Sequence, residues 1–159
     1  MRAASYDFLK KLLETPSPSG FETSGQRVWL DYVSTFADEV SSDAYGNCIA
    51  VINPKGSPRV LLTGHSDEIG FMVQFISEDG FIYFQSIGGS DPALARGQRV
   101  VVHGYGGPVR GVIGQLAIHM QEPDDRKKVP DLHQMFIDIG AKSKADARKQ
   151  VRVGDAITY

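Results

Sequence analysis

A single cysteine, Cys48, excludes any internal disulfide, so the stability of this chain has to come from packing. Cys48 lies in the apolar run "CIAVI" with no His or Lys beside it, the setting of a small buried side chain rather than a reactive thiol. Long apolar runs are missing too: none approaches the roughly 20 residues that cross a bilayer. The opening segment breaks its apolar positions with Asp7, Lys10 and Lys11, which leaves no signal-peptide core. Nor does one sign of charge dominate, since Lys+Arg 17 against Asp+Glu 19 leaves a net charge of -2. No basic stripe follows a phosphate backbone. The expectation is a cytoplasmic protein with neither nucleic acid nor membrane as a partner. What is present is the composition of an ordinary globular protein, 42% hydrophobic and 23% charged, enough for one domain and a small second one.

Two styles of sequence follow one another. In the first, Phe8, Leu9, Leu12 and Leu13 form a helical face that stops at Pro16, and Trp29, Tyr32, Val33 and Phe36 repeat at i, i+3, i+4, i+7. Between them "PSPSGFE" breaks helix and forces a corner before Thr23 or Ser24 caps the next one. "CIAVI" and "RVLLT" then flank "NPKGSP", the composition of a hairpin or tight loop. Helices followed by strands apolar on both sides predict an α/β layer. From Gly70 onward, "FMVQFIS", "FIYFQSI", "RVVVHG", "PVRGVIG" and "MFIDIGA" are short strand-like segments separated by glycine-rich turns, which predicts a small all-β barrel. A short helix interrupts it at residues 143–150, where "SKAD" sets an acid three residues after a capping serine. The expected domains are residues 1–69 for the α/β layer, 70–153 for the barrel, and 154–159 for a strand returning to the layer.

The chemistry concentrates in "LLTGHSDEIG", where a hydrophobic run ends in a histidine followed by two acids. A strand over residues 59–63 would put these polar heads at the carboxyl edge of a sheet, where open α/β folds place their ligand sites. In extended chain, i and i+2 point the same way, so His65 and Asp67 share one side and Ser66 and Glu68 the other. That spacing suits a metal-ligating imidazole and the carboxylate that orients it through its other ring nitrogen. The same triplet is also ordinary chemistry for a surface turn.

The order of "PSPSGFE", "LLTGHSDEIGFMV", "GFIYFQSIGGSDP", "GVIG" with a following "IH", "IDIGAKS" and "VRVGD" is more specific. In these motifs the chain resembles the glutamyl and deblocking aminopeptidases, a family of co-catalytic dinuclear metallopeptidases with cellulase-like relatives. The resemblance runs from Ser19, Gly20 and Glu22 to Gly154 and Asp155. It implies a zinc-peptidase α/β domain with an inserted β-barrel, two zinc or cobalt ions per complete site, and removal of N-terminal residues from peptide substrates. It implies further that His65 is a metal ligand, that Asp67 is the catalytic acid orienting it, and that the barrel pairs subunits into a homo-oligomer.

Members of that family are about twice this length, and their bridging aspartate, base glutamate and later ligands have no counterpart here. The expectation is therefore the N-terminal portion of such an enzyme, inactive alone. Two alternatives stand beside it. One is a non-catalytic assembly module built on the barrel. The other is a cellulase-like glycoside hydrolase, which needs two carboxylates about 5–10 Å apart across a sugar cleft. Among the remaining candidates, His119 has two readings, a structural one, which leads, and a substrate-cleft residue leaning from the barrel. His103 and His133 are read as surface groups, Asp91 and Pro92 as a helix start, and Asp125 to Lys128 as a loop tip.

Overall fold

The apolar spacing at Phe8 and Leu12 does wind a helix. In a computed structural model, which describes residues 1–159, α1 covers Ala3–Leu13 and α2 covers Thr23–Val33. Lys10 and Lys11 fall in the last turn of α1, where a positive charge complements the carbonyl end. The helices meet through Phe8 and Tyr32, whose rings stack at 3.8 Å between centroids. Neither Thr23 nor Ser24 caps α2, contrary to expectation. The capping position belongs to Glu22, which makes no side-chain cap bond; its carboxylate instead accepts the amide of Gly20 at 2.7 Å.

The expected hairpin is also rearranged. "CIAVI" supplies β2 (Cys48–Val51), but its antiparallel partner is the preceding β1 (Glu39–Ser42), in register Glu39↔Val51 to Ser42↔Cys48. The turn between them is built by Asp43, whose carboxylate accepts the amides of Tyr45 and Asn47 at 2.9 Å each and the Asn47 side-chain amide at 2.7 Å. Those bonds favour the charged form and hold the Asp43 carboxyl below the ordinary aspartate range, the Asn47 side chain contributing most. A depressed carboxyl stabilises the turn above the unfolded pKa and ceases to as pH falls through the folded one. Amide protection in the β1–β2 hairpin is thus expected to decline below the usual aspartate range. Hydrogen exchange against pH measures this, and a hairpin equally protected in strong acid contradicts it.

Residues 59–63 form no strand. Residues 59–67 carry no regular structure, and Val60, Leu61 and Leu62 are 79%, 86% and 90% exposed. A run apolar on both faces is stable as a strand only between neighbours that cover it and complete its ladder. Residues 1–68 offer a two-stranded sheet, β1 with β2, that this run does not join.

The chain consists of two compact units, Met1–Glu68 and Ile69–Tyr159. The second unit is a closed antiparallel barrel of β3 (Gly70–Ile76), β4 (Ile82–Ile87), β5 (Arg99–Gly104), β6 (Gly107–Gln115), β7 (Met135–Asp138) and β8 (Ala156–Thr158), in the order β3-β4-β7-β6-β5-β8. Alternation sends Phe71 and Val73 inward, and a register shift between Val73 and Phe75 then brings Ile76 rather than Phe75 into the core. Ile82, Phe84, Val100, Val102, Ile113, Met135, Ile137 and Ile157 fill the remaining interior. The residues expected to return to the first layer instead close the barrel: Ile157 pairs with Phe71 on one side and Val102 on the other. Closure removes two open strand edges, which is why a short segment suffices as the last strand.

Two short helices lie in the connections. Asp91 caps α3 (Pro92–Ala95), accepting the Ala93 amide at 2.9 Å, and Ser143 caps α4 (Lys144–Ala147), accepting the Asp146 amide at 3.2 Å. After α4 the chain passes so close to β5 that a Cβ on Gly104 would stand 2.2 Å from the Gln150 carbonyl oxygen. Glycine is required there by space.

Candidate active site

The site begins in the corner between α1 and α2. Pro18 and Glu68 form a parallel bridge, with the Glu68 amide donating to the Ser17 carbonyl and the Ser17 amide to Glu68 Oε1, both at 2.9 Å. The irregular residues 59–67 are thereby tied down at their C-terminal end. Ser17 itself is 5% exposed, and a Cβ on Gly25 would meet its Oγ at 2.3 Å, so the helix admits the corner only where it has no side chain. Glu68 is thus engaged with backbone on its own side of the segment.

On the other side, His65 Nδ1 lies 2.8 Å from Asp67 Oδ1 and 3.1 Å from the Asp67 carbonyl oxygen. Both partners are acceptors, so Nδ1 is the donor; on the neutral ring the lone pair is left on Nε2. The His65 side chain is 85% exposed and that of Asp67 35%. Asp67 Oδ2 accepts a hydrogen bond from the Ser19 hydroxyl. This bond first, and the one from His65 second, hold the Asp67 carboxyl below the ordinary aspartate range.

Chemically, the arrangement presents one imidazole nitrogen, fixed in tautomer and direction, to solvent. That is the form in which histidine binds a divalent metal, with a carboxylate behind the ring. The fit ends at one donor: no group of three or more His, Cys, Asp or Glu residues is placed to enclose an ion. A structural zinc site takes four ligands and a catalytic one three.

The other candidates stand apart from this pair in the sequence and in their surroundings. His119 is exposed in a single 3₁₀ turn, Ile118–Met120, on the long connection between β6 and β7. His133 lies in a second, Leu132–Gln134. His103, read as a solvent-facing strand end, is half-buried, with Nε2 3.0 Å from Thr158 Oγ1, and so links β5 to β8. Concavities of about 510 and 540 Å³ on the barrel are lined by Arg99, Arg110 and Tyr159, and by Arg96, Met120 and Val129. His65, Asp67 and His119 line neither. Sequence reasoning gave no role to Ser19. Its contact with Asp67 spans 48 positions, and the available signals were its place at the start of the family resemblance and a pair of hydroxyls in a corner rich in proline and glycine.

Comparison with known proteins places these features in a family. The sequence model of the M42 glutamyl aminopeptidases matches residues 46–159. The lysyl aminopeptidase of Pyrococcus furiosus is 35% identical over 153 residues, covering 94% of this chain and 44% of that protein. Among solved structures, the TET aminopeptidase of the marine sediment archaeon Thaumarchaeota archaeon SCGC AB-539-E09 superposes with a TM-score of 0.92 at 40% identity, over 98% of this chain and 44% of its own. The Pyrococcus horikoshii TET1 peptidase, which can assemble into a tetrahedron or a large octahedral shell, does so with a TM-score of 0.85 at 33% identity, over 97% and 46%. The chain belongs to the M42 glutamyl aminopeptidase family, a family of hydrolases. It spans less than half the length of these relatives. No helix in it is long and apolar enough to cross a membrane.

Proposed function

We propose that this chain is the N-terminal portion of a metal-dependent aminopeptidase that removes N-terminal residues from peptides in the cytoplasm. The observation that carries the reading is the 2.8 Å bond from His65 Nδ1 to Asp67 Oδ1, which leaves Nε2 outward as a ligand. In the complete site a pair of divalent ions, zinc or cobalt, would supply Lewis acidity. His65 offers one of their ligands, and Asp67 keeps the ring's proton on Nδ1. Val60, Leu61 and Leu62, exposed and apolar, are assigned to a covered strand of the α/β layer of the complete enzyme. His119 is assigned to the substrate cleft of the complete enzyme.

The barrel, with its own core, is the part assigned to subunit pairing, a role supported by the shells that the P. horikoshii relative forms. That same closed core favours a second reading, in which the chain by itself serves assembly without catalysis. Release of N-terminal residues by the continued polypeptide, abolished by a chelator and by His65→Ala, is the test of the first reading.

A further inference from the structure

We propose that Ser19 is a positioning residue for His65, acting through Asp67. Asp67 has two carboxylate oxygens with separate partners: Oδ1 takes the imidazole N–H, and Oδ2 takes the Ser19 hydroxyl. Without the second bond, the carboxylate of a half-exposed residue in an unladdered segment is free to turn about its terminal torsion, which is broad for aspartate. With it, the carboxylate is pinned at both oxygens, and its shorter hold on the Nδ1 proton, 2.8 Å, adds to that of the Asp67 carbonyl oxygen at 3.1 Å. Ser19 is itself held by its neighbours: the Phe21 amide donates to the Pro18 carbonyl and the Gly20 amide to Glu22 Oε1, each at 2.7 Å. The proline and glycine corner therefore has a function in the site as well as in the fold.

A merely structural tether is the competing account, and the geometry separates the two. Ser17 and Glu68 already tie the corner to the segment through a reciprocal pair of hydrogen bonds that do not involve Ser19. Ser19 is exposed, so trimming its hydroxyl removes the hold on the carboxylate and leaves the tether in place. The inference concerns the ring's tautomer; only its consequence for metal affinity rests on the reading of His65 as a ligand.

The experiment is side-chain nitrogen NMR on the ¹⁵N-labelled 159-residue chain, recorded where histidine is neutral, with zinc chloride added in a second series. The expected result is a His65 ring protonated on Nδ1 in the unsubstituted chain and in Ser19→Thr, and a shift toward the Nε2–H form in Ser19→Ala with the backbone spectrum unchanged. Zinc should then move the His65 nitrogen resonances in the unsubstituted chain at concentrations about tenfold lower than in Ser19→Ala, the low end of the cost of losing an outer-shell partner. Identical ring-nitrogen shifts in the unsubstituted chain and in Ser19→Ala overturn the assignment. A tautomer that responds to Ser19→Ala in a chain whose His65 ignores zinc upholds the positioning role and overturns the ligand reading instead.

Discussion

Peptide hydrolysis by the 159-residue chain alone is expected to stay at background, with or without added zinc or cobalt. Co-catalytic hydrolysis needs two ions about 3.5–4 Å apart, and a general base there contributes roughly 10²–10⁴-fold. Here one imidazole nitrogen and its carboxylate face solvent, and no third acid, cysteine or histidine joins them. Continuing the polypeptide to the length of its relatives should bring turnover, measured as amino acids released from short peptide amides. His65→Ala in that longer polypeptide should reduce it by about 10²-fold or more, the scale on which a catalytic group acts. Hydrolysis by the 159-residue chain that a chelator and His65→Ala both abolish would show that the catalytic groups are all present here. A continued polypeptide that releases nothing, or that His65→Ala leaves unaffected, removes the peptidase assignment of this pair.

Phe71→Ala should cost the barrel about 3–5 kcal/mol, the usual range for emptying a buried aromatic site. Phe71 is fully buried and packs edge-on against Phe84 at 4.8 Å and against Tyr159 at 5.2 Å, contacts that add to the area it buries. It also sits where β3 meets β8, opposite Ile157, so a cavity there loosens the strand that closes the barrel. Met72, the next residue, points outward at 40% exposure, and Met72→Ala should change stability by only about 0.5 kcal/mol. Denaturant unfolding followed by amide exchange in β3, β4 and β5 compares the two. A Phe71→Ala loss below about 1 kcal/mol would mean that this residue is not part of a close-packed core.

The barrel was legible in the sequence because its information is local. Period-two alternation in "RVVVHG" and "MFIDIGA", with glycine-rich turns between, marks strands whatever their partners are. Closure was not legible: nothing in "DAITY" says that Ile157 will pair with both Phe71 and Val102. β1 escaped notice for a different reason. All four residues of "EVSS" are exposed, so no alternation betrays them, and the strand exists through its turn at Asp43. Residues 59–63 failed in the opposite direction, since an apolar run marks only a wish for burial, and Val60, Leu61 and Leu62 find no cover within residues 1–68.

The site divides in the same way. His65 and Asp67 could be paired from i, i+2 spacing, which holds in an extended segment even where no ladder forms. Ser19 could not, because its partner is remote in the chain and the contact depends on how the corner folds.

The most direct test of the central claim, that this chain carries a single oriented ligand rather than a closed metal site, is the metal content of the purified 159-residue chain after exhaustive dialysis from excess zinc. One imidazole holds zinc far more weakly than the three or four protein ligands of a catalytic or structural site. The predicted result is well under one zinc per chain, with His65→Ala lowering the weak binding seen before dialysis. Two zinc ions retained per chain would contradict it.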